Sequence, residues 1–228
     1  MILKAQDLSL KIKDKTLFSS ISLSLDYGQK IAIIAPNGSG KTSLLELLAG
    51  LGIGTSGQIT LFNKQMRSLD DYKGIRAKIG YLFQDSNQQF ICPNVLEDVA
   101  FSVLTNSFGD LKSSKQSFKS AQANALQKAA QMLDLLGLSA LKDSSPYALS
   151  GGQKRLVAIA GVLAFSPELM ILDEPESSLD THSKAKIASI LKQSQSAIIF
   201  SSHDTSFASA LAHKVYYLKE NALVEKII

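Results

Sequence analysis

The chain has 228 residues, 45% of them hydrophobic and 19% charged, a balance that supports a packed core and excludes an intrinsically disordered chain. The formal charge of +4 is spread along the sequence without a basic block, so no nucleic-acid partner is expected. Cys92 is the single cysteine, which excludes an internal disulfide and a multi-thiolate metal site.

In chain order, Ile2 to Ile12 and Ile21 to Leu25 alternate as strands around a polar turn at Lys13 to Lys15. Lys30 to Ala35 is a short apolar run of the kind buried on both faces of a sheet, followed by a Gly-rich turn and a helix from Lys41 to Gly50. Gln58 to Phe62 and Lys78 to Phe83 are further strand candidates. Helical periodicity returns at Asn94 to Thr105 and Ser120 to Leu136, where Leu126, Ala129, Ala130, Leu133 and Leu136 share one face. After that come a helix (Gly152 to Phe165), a strand (Leu169 to Leu172), a helix (Thr181 to Gln193), a strand (Ala197 to Ser201) and a helix (Thr205 to Ala212). Val215 to Leu218 and Leu223 to Ile227 close as a hairpin.

Strands alternating with helices in the second half predict an α/β fold with a mostly parallel sheet. An antiparallel N-terminal β-subdomain and an inserted helical lobe at 94–145 complete one domain spanning 1–228. The apolar run Leu156 to Phe165 is too short to span a bilayer, and the N-terminal segment MILKAQDLSLKI lacks a signal pattern. A cytoplasmic chain is expected, reaching a membrane only through a partner.

APNGSGKT, Ala35 to Thr42, sits between a buried strand and a helix, as a phosphate-binding P-loop requires. Small residues let successive backbone N–H groups converge on phosphate oxygens, and the helix N-terminus adds partial positive charge. Asn37, Gly38, Ser39, Gly40, Lys41, Thr42 and Ser43 are the expected nucleotide contacts. Lys41 can reach the terminal phosphates, and the Thr42 hydroxyl can ligate Mg²⁺. Ala35 stands where the motif usually has glycine. A positive φ there would cost about 1 kcal/mol or more, so Ala35 is expected to keep a negative φ and nucleotide binding to survive.

LMILDEP, Leu169 to Pro175, runs an apolar strand into two acids that point in opposite directions. Asp173 is assigned to the metal and Glu174 to the general base acting on the attacking water. In LSGGQKR, Leu149 to Arg155, Ser150 is placed to cap the following helix, and Gly151 and Gly152 open backbone amides toward an anion.

The order of these motifs, with Gln84 after a strand, SSLD at Ser177 to Asp180 and SSHD containing His203, resembles the ATP-binding cassette superfamily over essentially the whole chain. The resemblance implies an ATPase working as one half of a dimer with two shared sites and ATP and Mg²⁺ as ligands. It implies that Gln84 is the glutamine touching Mg²⁺ and the attacking water. Ser150, Gly151, Gly152 and Gln153 would meet the γ-phosphate held by the other protomer. Asp180 would cross the dimer interface, and His203 would hydrogen-bond the γ-phosphate. His182 and His213 match nothing in the family pattern and are read as surface residues. The family's adenine-stacking aromatic would fall near Ile12, and the closest aromatic is Phe18. This implies a weaker hold on the base, with binding carried by phosphate contacts.

YLFQDSNQQFICPNVLEDVAFS, Tyr81 to Ser102, resembles the cobalt/nickel and energy-coupling-factor vitamin transporter ATPases, as does Leu156 to Pro175. Phe90, Ile91, Pro93, Val95 and Leu96 form an apolar cluster suited either to gripping a partner's helix or to packing the lobe. The resemblance implies import driven through integral membrane subunits, at the cytoplasmic face, with an identical or paralogous second cassette. An alternative is a soluble ABC ATPase such as an iron–sulfur assembly ATPase, against which Tyr81 to Ser102 argues. A nucleic-acid or ribosome-acting cassette protein would need tandem cassettes, a coiled-coil insertion or a strongly basic face, and the sequence has none.

Overall fold

The computed structural model describes residues 1–107 and 115–226, which divide into two compact units. The first comprises residues 1–84, 168–176 and 181–228 and the second residues 85–167 and 177–180.

In the first unit, β1 (Leu3–Ile12), β2 (Lys15–Leu25), β3 (Lys30–Ile34), β4 (Ser56–Leu61), β5 (Lys64–Met66), β6 (Ile79–Leu82), β7 (Leu169–Asp173), β8 (Ala197–Ser202), β9 (Lys214–Lys219) and β10 (Ala222–Lys226) form two sheets. An antiparallel sheet has the order β2-β1-β4-β5. The other, β10-β9-β3-β8-β7-β6, is parallel except for the β9–β10 hairpin. Every residue of β3, β7 and β8 is buried, so these strands read as continuous apolar runs rather than alternations. Lys30 is tolerated in β3 because its ammonium donates to the carbonyls of Gly28 and Ser194, at 2.7 and 2.8 Å. Helices α1 (Lys41–Ala49), α5 (Thr181–Gln193) and α6 (Thr205–Leu211) follow β3, β7 and β8 respectively.

β2 begins at Lys15, six residues before the expected start, because register shifts in its pairing with β1 break the period-2 signal. β5, only three residues long, was not anticipated. The closing hairpin forms as expected, and Ile227 lies outside the described residues.

The second unit contains α2 (Val95–Ser107), α3 (Lys115–Leu136) and α4 (Gly151–Ala164). Asn94 precedes α2, its Oδ1 accepting from the N–H of Glu97 at 2.9 Å. On α3 the buried stripe is Ala125, Ala129, Leu133 and Leu136. Leu126 is half-buried, whereas Ala130 is exposed, one position round from the apolar face to which its residue type assigned it. No described helix is long and apolar enough to cross a membrane.

Candidate active site

The loop between β3 and α1 carries the Gly-rich motif. Gly38 and Gly40 have φ of +75° and +96°, and Ala35 is not among the positive-φ residues, as its sequence context predicts. At Gly40 a side chain would meet both a left-handed backbone and the Leu17 Cβ, 3.3 Å from where its own Cβ would sit. The Ser39 hydroxyl oxygen is buried without a hydrogen-bond partner. Lys41, 5% exposed, donates to the carbonyls of Ala35 and Pro36 at 2.7 and 3.1 Å, and lies 3.8 Å from Glu174 Oε1.

Parallel pairing brings the rest of the cluster together. β7 and β8 are in register with Asp173 beside Ser201. The Ser201 hydroxyl donates to Asp173 Oδ1 and accepts from the Glu174 N–H. Asp173 Oδ2 accepts from the Thr42 hydroxyl at 2.6 Å, and Gln84 Oε1 lies 3.5 Å from the same hydroxyl. Three oxygens from three segments far apart in sequence thus converge. The charge of Asp173 joins burial in pushing up the pKa of both Glu46 and Tyr81, burial being the larger cause in each case.

Glu174 leaves the strand with φ +50°, a left-handed conformation that costs a non-glycine residue roughly 1 kcal/mol or more. Its carboxylate faces Lys41 and His203, whose Nδ1 is 3.7 Å from Glu174 Oε2. His203 itself is exposed. The following residue, Asp204, caps α6 by accepting from the N–H groups of Ser206 and Phe207, each at 3.0 Å. It also accepts from Lys184 at 2.9 Å. The Phe207 N–H and then Lys184 hold the Asp204 carboxyl below its ordinary range.

Three participants were given no role by the sequence. The paired serines Ser201 and Ser202, both fully buried, bind the acids of the neighbouring strand end. The Ser202 hydroxyl donates to Glu176, an acid the motif reading passed over. The sequence signalled the serines only as the hydroxyl pair that ends the otherwise apolar strand AIIFSS and opens the SSHD motif. His213 is exposed as expected, yet its Nδ1 accepts the Lys30 N–H at 2.9 Å.

In the second unit, Ser150 caps α4 through a reciprocal pair: the Gln153 N–H donates to Ser150 Oγ at 3.3 Å and the Ser150 N–H to Gln153 Oε1 at 3.0 Å. Gln153 therefore has a local structural task. The Cβ of an alanine at Gly152 would lie 2.9 Å from the Ser178 carbonyl oxygen, whereas at Gly151 its nearest neighbour would be 3.7 Å away. Asp180 is exposed beside this contact segment. Gly152→Ala should therefore destabilise the protein by about 1–3 kcal/mol, lowering its melting temperature by several degrees. Gly151→Ala should melt like the wild type; equal melting of the two variants would refute the packing explanation.

A family model described as ABC transporter matches residues 18–177. The chain belongs to the ABC transporter family. It is an ATPase that binds ATP and hydrolyses it, on the ATP-binding-cassette fold of an antiparallel sheet, a mostly parallel sheet and a helical lobe. A Brucella suis biovar 1 protein named only as an ABC transporter ATP-binding protein is 35% identical over 227 residues, covering 100% of this chain and 90% of that one. The energy-coupling factor transporter ATP-binding protein EcfA of Methanothermobacter thermautotrophicus is 32% identical, covering 98% of this chain and 70% of its own. The structure of cbiO1 from Clostridium perfringens, part of the ABC transporter complex cbiONQ, superposes with a TM-score of 0.77 at 30% identity, covering 98% and 86% of the two chains.

Proposed function

We propose that this ATPase powers an importer of the energy-coupling-factor type, taking up cobalt, nickel or a vitamin through integral membrane subunits at the cytoplasmic face. Kinship with EcfA and cbiO1 supports the reading. The single observation that carries it is the geometry of the Tyr81–Ser102 segment. Phe90 and Val95 are buried and so pack the lobe, while Ile91 is 69% exposed. Asp98 accepts from the N–H groups of Ile91 and Cys92 at 2.7 and 2.9 Å, holding an aliphatic side chain out to solvent. Exposed Tyr147 stacks edge-on against Phe90 and donates to its carbonyl at 3.0 Å. A fixed apolar knob beside an aromatic suits the groove in which a partner's helix is gripped.

In the proposed cycle, two cassettes close on two ATP molecules, with Ser150, Gly151, Gly152 and Gln153 of one facing the γ-phosphate held by the loop Asn37 to Ser43 of the other, and Asp180 at the interface. Glu174 takes a proton from water as its oxygen bonds to the γ-phosphorus and the bond to the bridging oxygen of ADP breaks. His203 and Lys41 meet the charge on the γ-phosphoryl oxygens. The Thr42 hydroxyl has oxygens of Gln84 and Asp173 within 3.5 Å, a set of three hard donors that fits Mg²⁺. Bound there, Mg²⁺ would neutralise charge on the phosphate oxygens.

The test is capture of tagged protein from gently solubilised native membranes, with partners identified by mass spectrometry. Stoichiometric recovery of a multi-span membrane protein, lost in a folded Ile91→Asp variant, is expected. Recovery of soluble assembly proteins alone would overturn the transport reading in favour of a soluble ABC ATPase.

A further inference from the structure

Glu176 lies in the turn after β7 and is 0% exposed. Its Oε1 accepts from the Ser202 hydroxyl and sits 3.9 Å from His203 Nδ1. Its Oε2 is buried with no hydrogen-bond partner. A carboxyl buried for stability alone would be satisfied on both oxygens, because an orphaned buried acceptor carries its full desolvation cost. Burial accordingly pushes the Glu176 carboxyl upward, offset in part by the Ser202 hydroxyl, by the residue's own N–H and by His203, with Glu174 adding to the rise. The same Nδ1 lies 3.7 Å from Glu174 Oε2. One edge of the imidazole therefore faces two carboxyl groups at nearly equal distance.

We infer that Glu176 is a positioning residue for hydrolysis, a second carboxyl that holds the Nδ1 edge of His203 and so releases Glu174 to engage the attacking water. The inference rests on the reading of Glu174 as base and His203 as the γ-phosphate contact. With Lys41 at Glu174 Oε1 and His203 at Oε2, an imidazole anchored on Glu174 alone competes with the attacking water for the remaining lone pairs. A second carboxylate 3.9 Å from the same ring nitrogen eases that competition, and Ser202 fixes it from the end of the strand that His203 directly follows. Ring orientation is then set by residues on both sides of the β7–β8 pair, leaving Nε2 facing phosphate, to which it donates in the doubly protonated form of the ring.

The test compares Glu176→Gln, which keeps the shape and a partner for Ser202, with His203→Ala and the double variant. In Glu176→Gln, kcat should fall roughly tenfold or more with KM for ATP unchanged, and the double variant should be no slower than His203→Ala alone. An unchanged kcat in folded protein, or losses that multiply, would overturn the proposal. Nitrogen-15 spectra supply a readout independent of turnover, because the chain has only three histidines and His203→Ala assigns the relevant one. The His203 ring signals should move in Glu176→Gln while those of His182 and His213 stay; an unmoved His203 refutes the contact. Should Glu176→Gln fail to fold, Ser202→Ala, which frees Oε1 of Glu176, must shift the same His203 signals. Failure of the underlying reading is separate: it would show as normal turnover in Glu174→Gln or in His203→Ala.

Discussion

The Glu174→Gln protein is expected to bind ATP normally and to hydrolyse it at least about 100-fold more slowly than the wild type. That factor corresponds to about 2.7 kcal/mol of activation free energy. Gln has the same shape as Glu and keeps the backbone N–H donated to Ser201 at 2.9 Å, so neither the strand end nor its φ of +50° needs to change. What disappears is the capacity to accept a proton from water. The 3.8 Å contact with Lys41 also loses its charge, which frees the lysine for phosphate and works in favour of ATP binding. Occupied sites that cannot turn over should therefore accumulate as an ATP-dependent dimer, visible as an earlier elution volume when ATP is present. Phosphate release at a normal rate would move the base role elsewhere, with Glu176 as the next acid to examine.

The parallel sheet was legible because β3, β7 and β8 are buried on both faces and so leave uninterrupted apolar runs in the sequence. The first half of β2 was not, since KTLFSS meets β1 through shifted register, and a shifted register destroys the two-residue period on which strand reading depends. Ala130 shows the same limit on a helix. Alanine counts as apolar wherever it stands, and only the packing of α3 decides that Ala129 is inside and Ala130 outside.

At the site, motif order located Lys41, Thr42, Gln84, Asp173, Glu174 and His203, and the first unit draws all six into one cluster. The residues that went unread were those whose meaning depends on strand register. Nothing local marks Ser201 and Ser202 as partners of Asp173 and Glu176. Their roles arise from pairing across 28 and 26 residues of sequence separation. The strain at Glu174 was equally hidden, because a Glu before proline gives no hint of a left-handed backbone.

Asp173→Asn should abolish most hydrolysis, at least about 100-fold, and its distinguishing mark should be a changed response to Mg²⁺. Asp173 is fully buried and accepts from two hydroxyls, those of Thr42 at 2.6 Å and Ser201. Both hydroxyls can rotate, so an amide in its place can still find partners, one of them now accepting. The cost to folding should stay within about 1–3 kcal/mol and appear as a modest drop in melting temperature. The carboxylate charge has no substitute. Thr42 and Gln84 remain as neutral oxygens, and neutral oxygens alone hold a hard divalent cation weakly. The Mg²⁺ concentration giving half-maximal ATPase activity should rise about tenfold or more, whereas a purely structural role for Asp173 would lower activity at unchanged Mg²⁺ dependence. Ser201→Ala provides the contrast. It removes a neutral donor to Asp173 and an acceptor for the Glu174 N–H but leaves the charge in place. If it moves the Mg²⁺ midpoint as far as Asp173→Asn does, geometry rather than charge controls the site, and the metal assignment of Asp173 fails.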